Sequence, residues 1–221
     1  MTQPVAEPRW RRLPEERPRQ ILRAALEVFS EQGLADARLD DIAKRAGVSK
    51  GTIYLYFPNK EELFREVVRT SVIAFIERAE ENVRAEDDAM QAFDKWMVGY
   101  WALLRSPVFP AMHRLMTAEL RNFPDLAAFY ATEVIERAQR LVCGMLERCM
   151  DAGIFRRMDP LVAARMLSAL FITHANWYHQ RQCFSSAMAT ADEDTFRLQI
   201  RDFFMQAMRI APPAAPRFAS T

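Results

Sequence analysis

The stretch from Gly47 to Leu63 reads GVSKGTIYLYFPNKEEL, and it gathers hydroxyl, phenol and ammonium groups on a helix of about two turns. Ser49, Thr52, Tyr54 and Tyr56 supply hydroxyls, Lys50 and Lys60 supply cations, and Gly51 carries no side chain to hold a partner away. Such groups, with the exposed amide N–H groups at the start of a helix, suit phosphate oxygens and the polar edges of bases. No comparable set supports catalysis. The histidines are His113, His174 and His179, none in HExxH or His-x3-His spacing, and neither a Gly-x-Ser-x-Gly elbow nor a Gly-rich phosphate loop is present. Carboxylates alternate with Lys and Arg at helical spacings, as on solvated faces, so no enzymatic activity is expected.

The cysteines, Cys143, Cys149 and Cys183, form no CxxC pair. Cys143 and Cys149 stand on one expected helix about 9 Å apart along its axis and on different faces, which makes neither a chelate nor a disulfide. Free, mostly buried thiols in a reducing cytoplasm are expected, with no metal and no cofactor. The net charge is only +1, so a polyanion must be met by local charge. Arg9, Arg11, Arg12, Arg17, Arg19 and Arg23 against Glu15 and Glu16 leave residues 9–23 at net +4. The N-terminus has no apolar core of a secretory signal, and the uncharged run between Arg165 and Arg181 falls short of the roughly 20 apolar residues of a bilayer span. No membrane association is expected.

Half the residues are apolar, 27% are charged and glycines number six, the composition of an all-α globular chain. Residues 1–14 read as a mobile basic arm and 211–221 as a disordered tail. Between them, Ile21, Ala24, Ala25, Val28 and Phe29 share one helical face, and Gly33 stands where that helix needs a left-handed residue. The run NKEELFREVVRTSVIAFIERAEENV is expected to be a connecting helix over 61–84, with Asn59 as N-cap and Leu63, Phe64, Val67, Val68 and Phe75 buried. Five more helices are expected at about 89–105, 108–122, 125–152, 160–182 and 193–210, with prolines near several starts.

The polar cluster itself sits on the second of two short helices. Ala43 is small where the helices cross, Gly47 supplies a positive φ for the turn, Ile42, Val48 and Ile53 point inwards, and Ser49 caps the second helix. This is the spacing of a helix-turn-helix, whose second helix enters the DNA major groove.

The run LDDIAKRAGVSKGTIYLYFPNKEEL closely resembles the DNA-binding signature of the TetR/AcrR family of transcriptional regulators, and RQILRAALEVFSEQG resembles that family's first helix. The resemblance covers residues 20–69; beyond them it is one of kind, a helical domain of the right size. It implies an N-terminal three-helix DNA-binding domain over 15–60 and a C-terminal helical ligand-binding and dimerisation domain over 61–210, about nine helices in all. It further implies that Lys50, Gly51 and Thr52 lie at the groove, that Tyr54 and Lys60 clamp phosphates, and that Leu55 faces the bases, for example a thymine methyl. Arg38 departs from the family, which commonly places Ser or Thr there as a cap. Arg38 can still reach a phosphate, with Asp36 or Asp40 shifting the cap.

The resemblance also implies a homodimer on a near-palindromic double-stranded operator and a small-molecule effector, most simply in a repressor released by an apolar or aromatic ligand. Candidate liners are Trp96, Tyr100, Trp101, Met112, His113, Met116, His174, Trp177 and Tyr178, each of which serves equally as core. Leu170, Phe171, Phe196, Ile200, Phe203 and Phe204 are candidates for the dimer interface. Control by a protein partner, or by metal or thiol chemistry, stays open as the alternative.

Overall fold

The computed structural model describes residues 16–183 and 193–210; the expected arm with Arg9, Arg11 and Arg12, and the expected tail, lie outside the described residues. Among the described residues every regular element is helical. The rods are α1 (Glu16–Asp36), α2 (Leu39–Ala46), α3 (Lys50–Tyr54), α4 (60–84), α5 (Ala89–Arg105), α6 (108–122), α7 (124–151), α8 (Pro160–His179) and α9 (Glu193–Ala207). Their limits follow from the caps. Asn59 accepts from the N–H of Glu62 at 2.7 Å and Asp88 from that of Gln91 at 2.8 Å, while Asp159 accepts from Leu161 and Val162 just ahead of Pro160 at the first helical position. Three rods carry a wide π turn, at Arg69–Ile73, Leu115–Glu119 and Ala131–Glu136. Such a turn holds one residue more than an α turn, so it re-aims every side chain that follows.

Packing divides the chain into two units. The first unit takes the described residues up to Thr70 together with Ala111–Ala127; the second takes Ser71–Pro110 and the rest. In the first unit Ile21, Ala25, Val28 and Phe29 of α1 close over Ile42 of α2, Ile53 of α3 and Leu63, Phe64, Val67 and Val68 of α4, all fully buried. Phe29 and Phe64 meet edge to face with centroids 6.0 Å apart. Each such side chain contributes about 1.5–3 kcal/mol of burial. Arg45 of α2 reaches back to α1, pairing both guanidinium nitrogens with the Glu31 carboxylate at 2.6 and 2.7 Å. From α6, Ala111, Met112 and Leu115 are buried, and the turn Leu115–Glu119 packs on α1, which is why this segment belongs here.

In the second unit Phe93, Phe155 and Phe204 form a mutual aromatic cluster, with centroid separations of 5.4, 5.9 and 6.0 Å. Around it lie Met97, Leu104, Met145, Leu146, Cys149, Leu167 and Phe171. The C-terminal end of α9 is tied in by the N–H of Arg156 donating to the Met208 carbonyl at 2.8 Å, and Arg201 pairs with Asp94 of α5. Arg148 donates to the carbonyls of Val83 and Glu86, closing the C-terminal end of α4.

Candidate nucleic-acid interface

The turn between α2 and α3 is built by Gly47, at φ 65° and ψ 36°, a left-handed conformation that glycine adopts without a Cβ penalty. The N–H of Val48 then returns to the Ala43 carbonyl at 3.0 Å, satisfying the end of α2. Ser49 caps α3, accepting from the N–H of Thr52 at 3.1 Å, and the two hydroxyls share a 2.8 Å hydrogen bond. Although α3 is regular only to Tyr54, its hydrogen bonding runs on through the Phe57 N–H to the Ile53 carbonyl at 2.9 Å, which buries Phe57 in the core. Leu55 is left 81% exposed, with Tyr54 and Tyr56 exposed beside it. A leucine held that far into solvent at the tip of a packed unit is in place to touch something other than its own fold.

The cations around α3 are engaged. Lys50 donates to the Asp40 carboxylate at 2.8 Å, and that hydrogen bond and charge raise the lysine's pKa above its usual value. Lys60 donates to the carbonyls of Ala35 and Ala37 at 2.9 and 3.1 Å, so two of its three N–H groups fix the α1–α2 connection. Arg38 remains the N-cap residue of α2, at φ −109° and ψ 141°, with its carbonyl accepting from Asp41 and Ile42 and with no side-chain cap. The expected shift of the cap to Asp36 or Asp40 does not occur, since the Asp40 carboxylate is committed to Lys50.

The expected effector residues separate. Met112, His113 and Met116 belong to the first unit. The second unit brings Trp96, Tyr100, Trp101, His174 and Tyr178 around Phe171, with Trp96 stacked on Tyr100 at 4.9 Å and Trp101 on His174 at 5.4 Å. Burial raises the Tyr100 phenol, which the Ser168 side chain hydrogen-bonds, and lowers His174 below its usual 6.5. Trp101 Nε1 and His174 Nδ1 are both buried with no hydrogen-bond partner. Trp177 does not join the group; it is 57% exposed.

The expected interface residues also divide. Phe171, Ile200 and Phe204 are buried in the second unit's own core, and Leu170 and Phe196 pack against it, because α8 and α9 turn those faces inwards. Only Phe203 is left well exposed, at 63%. Residues 21–67 match the family described as bacterial regulatory proteins, tetR family, and residues 91–207 match the AefR-like transcriptional repressor, C-terminal domain. The fatty acid metabolism regulator protein of Bacillus subtilis is 37% identical over 149 residues, covering 67% of this chain and 76% of that protein.

This chain belongs to the TetR family of transcriptional regulators. It is a DNA-binding transcriptional regulator. A further family member, AcrR of Shigella flexneri, is 28% identical over 183 residues, spanning 74% of this chain and 79% of its own. The Bacillus subtilis regulator FadR in complex with stearoyl-CoA shares the fold, with a TM-score of 0.67, 23% identity, and coverage of 86% of this chain and 99% of that one.

For this TetR-family chain, sequence reasoning missed Asp40 as the partner of Lys50, and the grip of Lys60 on backbone carbonyls, since both are contacts between elements. It also missed the exposed row Leu161, Val162, Met166, Trp177 and Leu198 on α8 and α9. Their apolar character was visible, but a helix apolar around most of its circumference does not say which side its own core takes. Among the described residues no group of His, Cys, Asp or Glu is placed to hold a metal ion, and no helix is long and apolar enough to cross a membrane. Cys149 is buried, and desolvation pushes its thiol up to about 11; Cys143 is half-buried and also raised, and Cys183 is exposed.

Proposed function

We propose that the chain is a homodimeric cytoplasmic repressor that reads a near-palindromic operator through α3 and leaves it when an apolar or aromatic small molecule enters the second unit. The observation that carries the DNA reading is the exposed tip of α3, with Leu55 in solvent while Ile53 and Phe57 on either side are anchored in the core. In this reading Lys50, Gly51, Thr52 and Leu55 meet the groove, and Ser49, Tyr54, Tyr56 and Arg38 meet phosphates. Lys60 contributes its third N–H to a phosphate while its other two hold the loop.

Dimerisation is assigned to the exposed row on α8 and α9, with Phe203 and Trp177 as anchors, because two large apolar side chains in solvent on one pair of helices call for a cover. The effector is assigned to the aromatic group around Phe171. Two buried polar atoms without partners, Trp101 Nε1 and His174 Nδ1, give a bound molecule a donor and a second polar contact among apolar walls. The raised thiols of Cys143 and Cys149 favour an organic effector over control through either of those residues.

The named relatives make stearoyl-CoA the first compound to try, since it is what the Bacillus subtilis FadR structure holds. The test is fluorescence anisotropy of a labelled operator, selected from random duplexes, titrated with the protein and then with stearoyl-CoA. Binding as a dimer that falls steeply with salt, followed by release, is the expected course. A flat salt response would remove the phosphate-based mode, and retention of the complex would remove this effector.

A further inference from the structure

We infer that the effector site proposed above, on which this step rests, recognises a carbonyl or carboxylate oxygen attached to a flat apolar body, with the Trp101 indole N–H as donor and the His174 imidazole beside it. The polar atoms of this aromatic group fall into two kinds. The Tyr100 hydroxyl is hydrogen-bonded to Ser168, and His179 Nε2 meets the Leu104 carbonyl at 2.7 Å, so the fold itself serves both. By contrast, Trp101 Nε1 and His174 Nδ1 are buried with no hydrogen-bond partner among the described residues.

Trp101 is only 2% exposed, so bulk water does not serve its N–H either. A buried donor without an acceptor is a standing cost to the fold. Indole donates and never accepts, so a molecule that relieves this cost must bring an acceptor. The imidazole nitrogen takes either role according to its tautomer. As the Nδ1–H form it donates to the same carbonyl oxygen, or to the second oxygen of a carboxylate.

The rings favour a flat guest. Trp101 lies within 26° of parallel to His174, and Phe196 within 6° of it, while Phe171 and Tyr178 are turned across Trp101 at 49° and 65°. Parallel rings closed by tilted ones are the arrangement that a further planar ring extends. A quaternary ammonium ion is the other guest that aromatic side chains gather around. Here Arg105 and Arg181 already lie over the Tyr178 ring, 5.7 and 4.3 Å from its centroid, which sets the group against a third cation.

The experiment titrates the full chain, labelled with 15N at tryptophan, with acetophenone, benzoate, ethylbenzene and phenyltrimethylammonium, and follows the indole N–H signals by NMR. A purely apolar site binds ethylbenzene at least as well as acetophenone, because the carbonyl gives up its hydration. The Trp101 donor should reverse that order. Acetophenone or benzoate should bind about tenfold more tightly than ethylbenzene, the effect of one well-made hydrogen bond, and one of the four indole signals should move downfield. Trp101→Phe keeps a ring and removes the donor, so it should return the lead to ethylbenzene. Should that variant fail to fold, the wild-type order and the indole signal decide. A lead for acetophenone makes the recognised oxygen neutral and a lead for benzoate makes it anionic, and both support the inference. Ethylbenzene binding as well as either oxygen-bearing probe, or phenyltrimethylammonium binding most tightly, would overturn it while leaving an effector site in place. Binding of none of the four would defeat the effector assignment itself, and the inference with it.

Discussion

Leu55 and Asp40 lie fifteen positions apart in the sequence, and the proposed reading gives them opposite effects on DNA binding. The leucine is solvent-exposed, so Leu55→Ala should leave the melting temperature unchanged while weakening operator binding by about 1 kcal/mol, the scale of a small apolar contact with a base. Asp40 holds Lys50 by a surface ion pair worth little in stability. Its charge still repels phosphate, so Asp40→Asn should raise affinity for random duplex and steepen the salt dependence by about one unit of slope, read from titrations at several salt concentrations. In the second unit, His174 is kept neutral by burial. A depressed folded pKa means that the unfolded chain binds the proton first, so stability is complete above about pH 6.5 and declines as pH falls below it. Urea denaturation across that range should show the decline, and His174→Phe should flatten it.

Helix limits were legible because caps and prolines are local chemistry: Asn59, Asp88 and Asp159 each begin a rod where the sequence placed it. The positive φ of Gly33 and Gly47 was equally legible, yet the surroundings of the two residues were not. Nothing lies within 4 Å of a Cβ built at Gly47, whereas at Gly33 the Glu119 carboxylate fills the space. Gly47→Ala should therefore cost about 1–2 kcal/mol of backbone strain. Gly33→Ala adds overlap to strain and should cost on the order of 2–4 kcal/mol, and chemical denaturation of the two variants should show that order. The π turns escaped the sequence reading because a helical period tolerates one extra residue without a change in composition.

At the scale of the molecule, periodicity showed that α6, α8 and α9 have apolar faces but not what each face meets. Met112, a candidate effector residue, lies in the first unit, and Phe171, Ile200 and Phe204, candidates for the interface, are buried in the second. The helix-turn-helix was legible in the sequence, since it is a local motif whose glycine, cap and short second helix follow one another along the chain. In the proposed reading the exposed row on α8 and α9 carries the dimer. Phe203→Glu should leave the monomer folded and shift sedimentation from dimer to monomer, with a loss of operator affinity of tenfold or more as one of two half-sites is given up.

The most direct test of DNA reading by this chain is selection of bound duplexes from a random pool at low and moderate salt, followed by sequencing. Enrichment of a near-palindromic site, lost when Leu55 and Tyr54 are replaced by Ala, is the expected result. No enrichment at low salt, or a consensus that survives those replacements, would contradict recognition through α3.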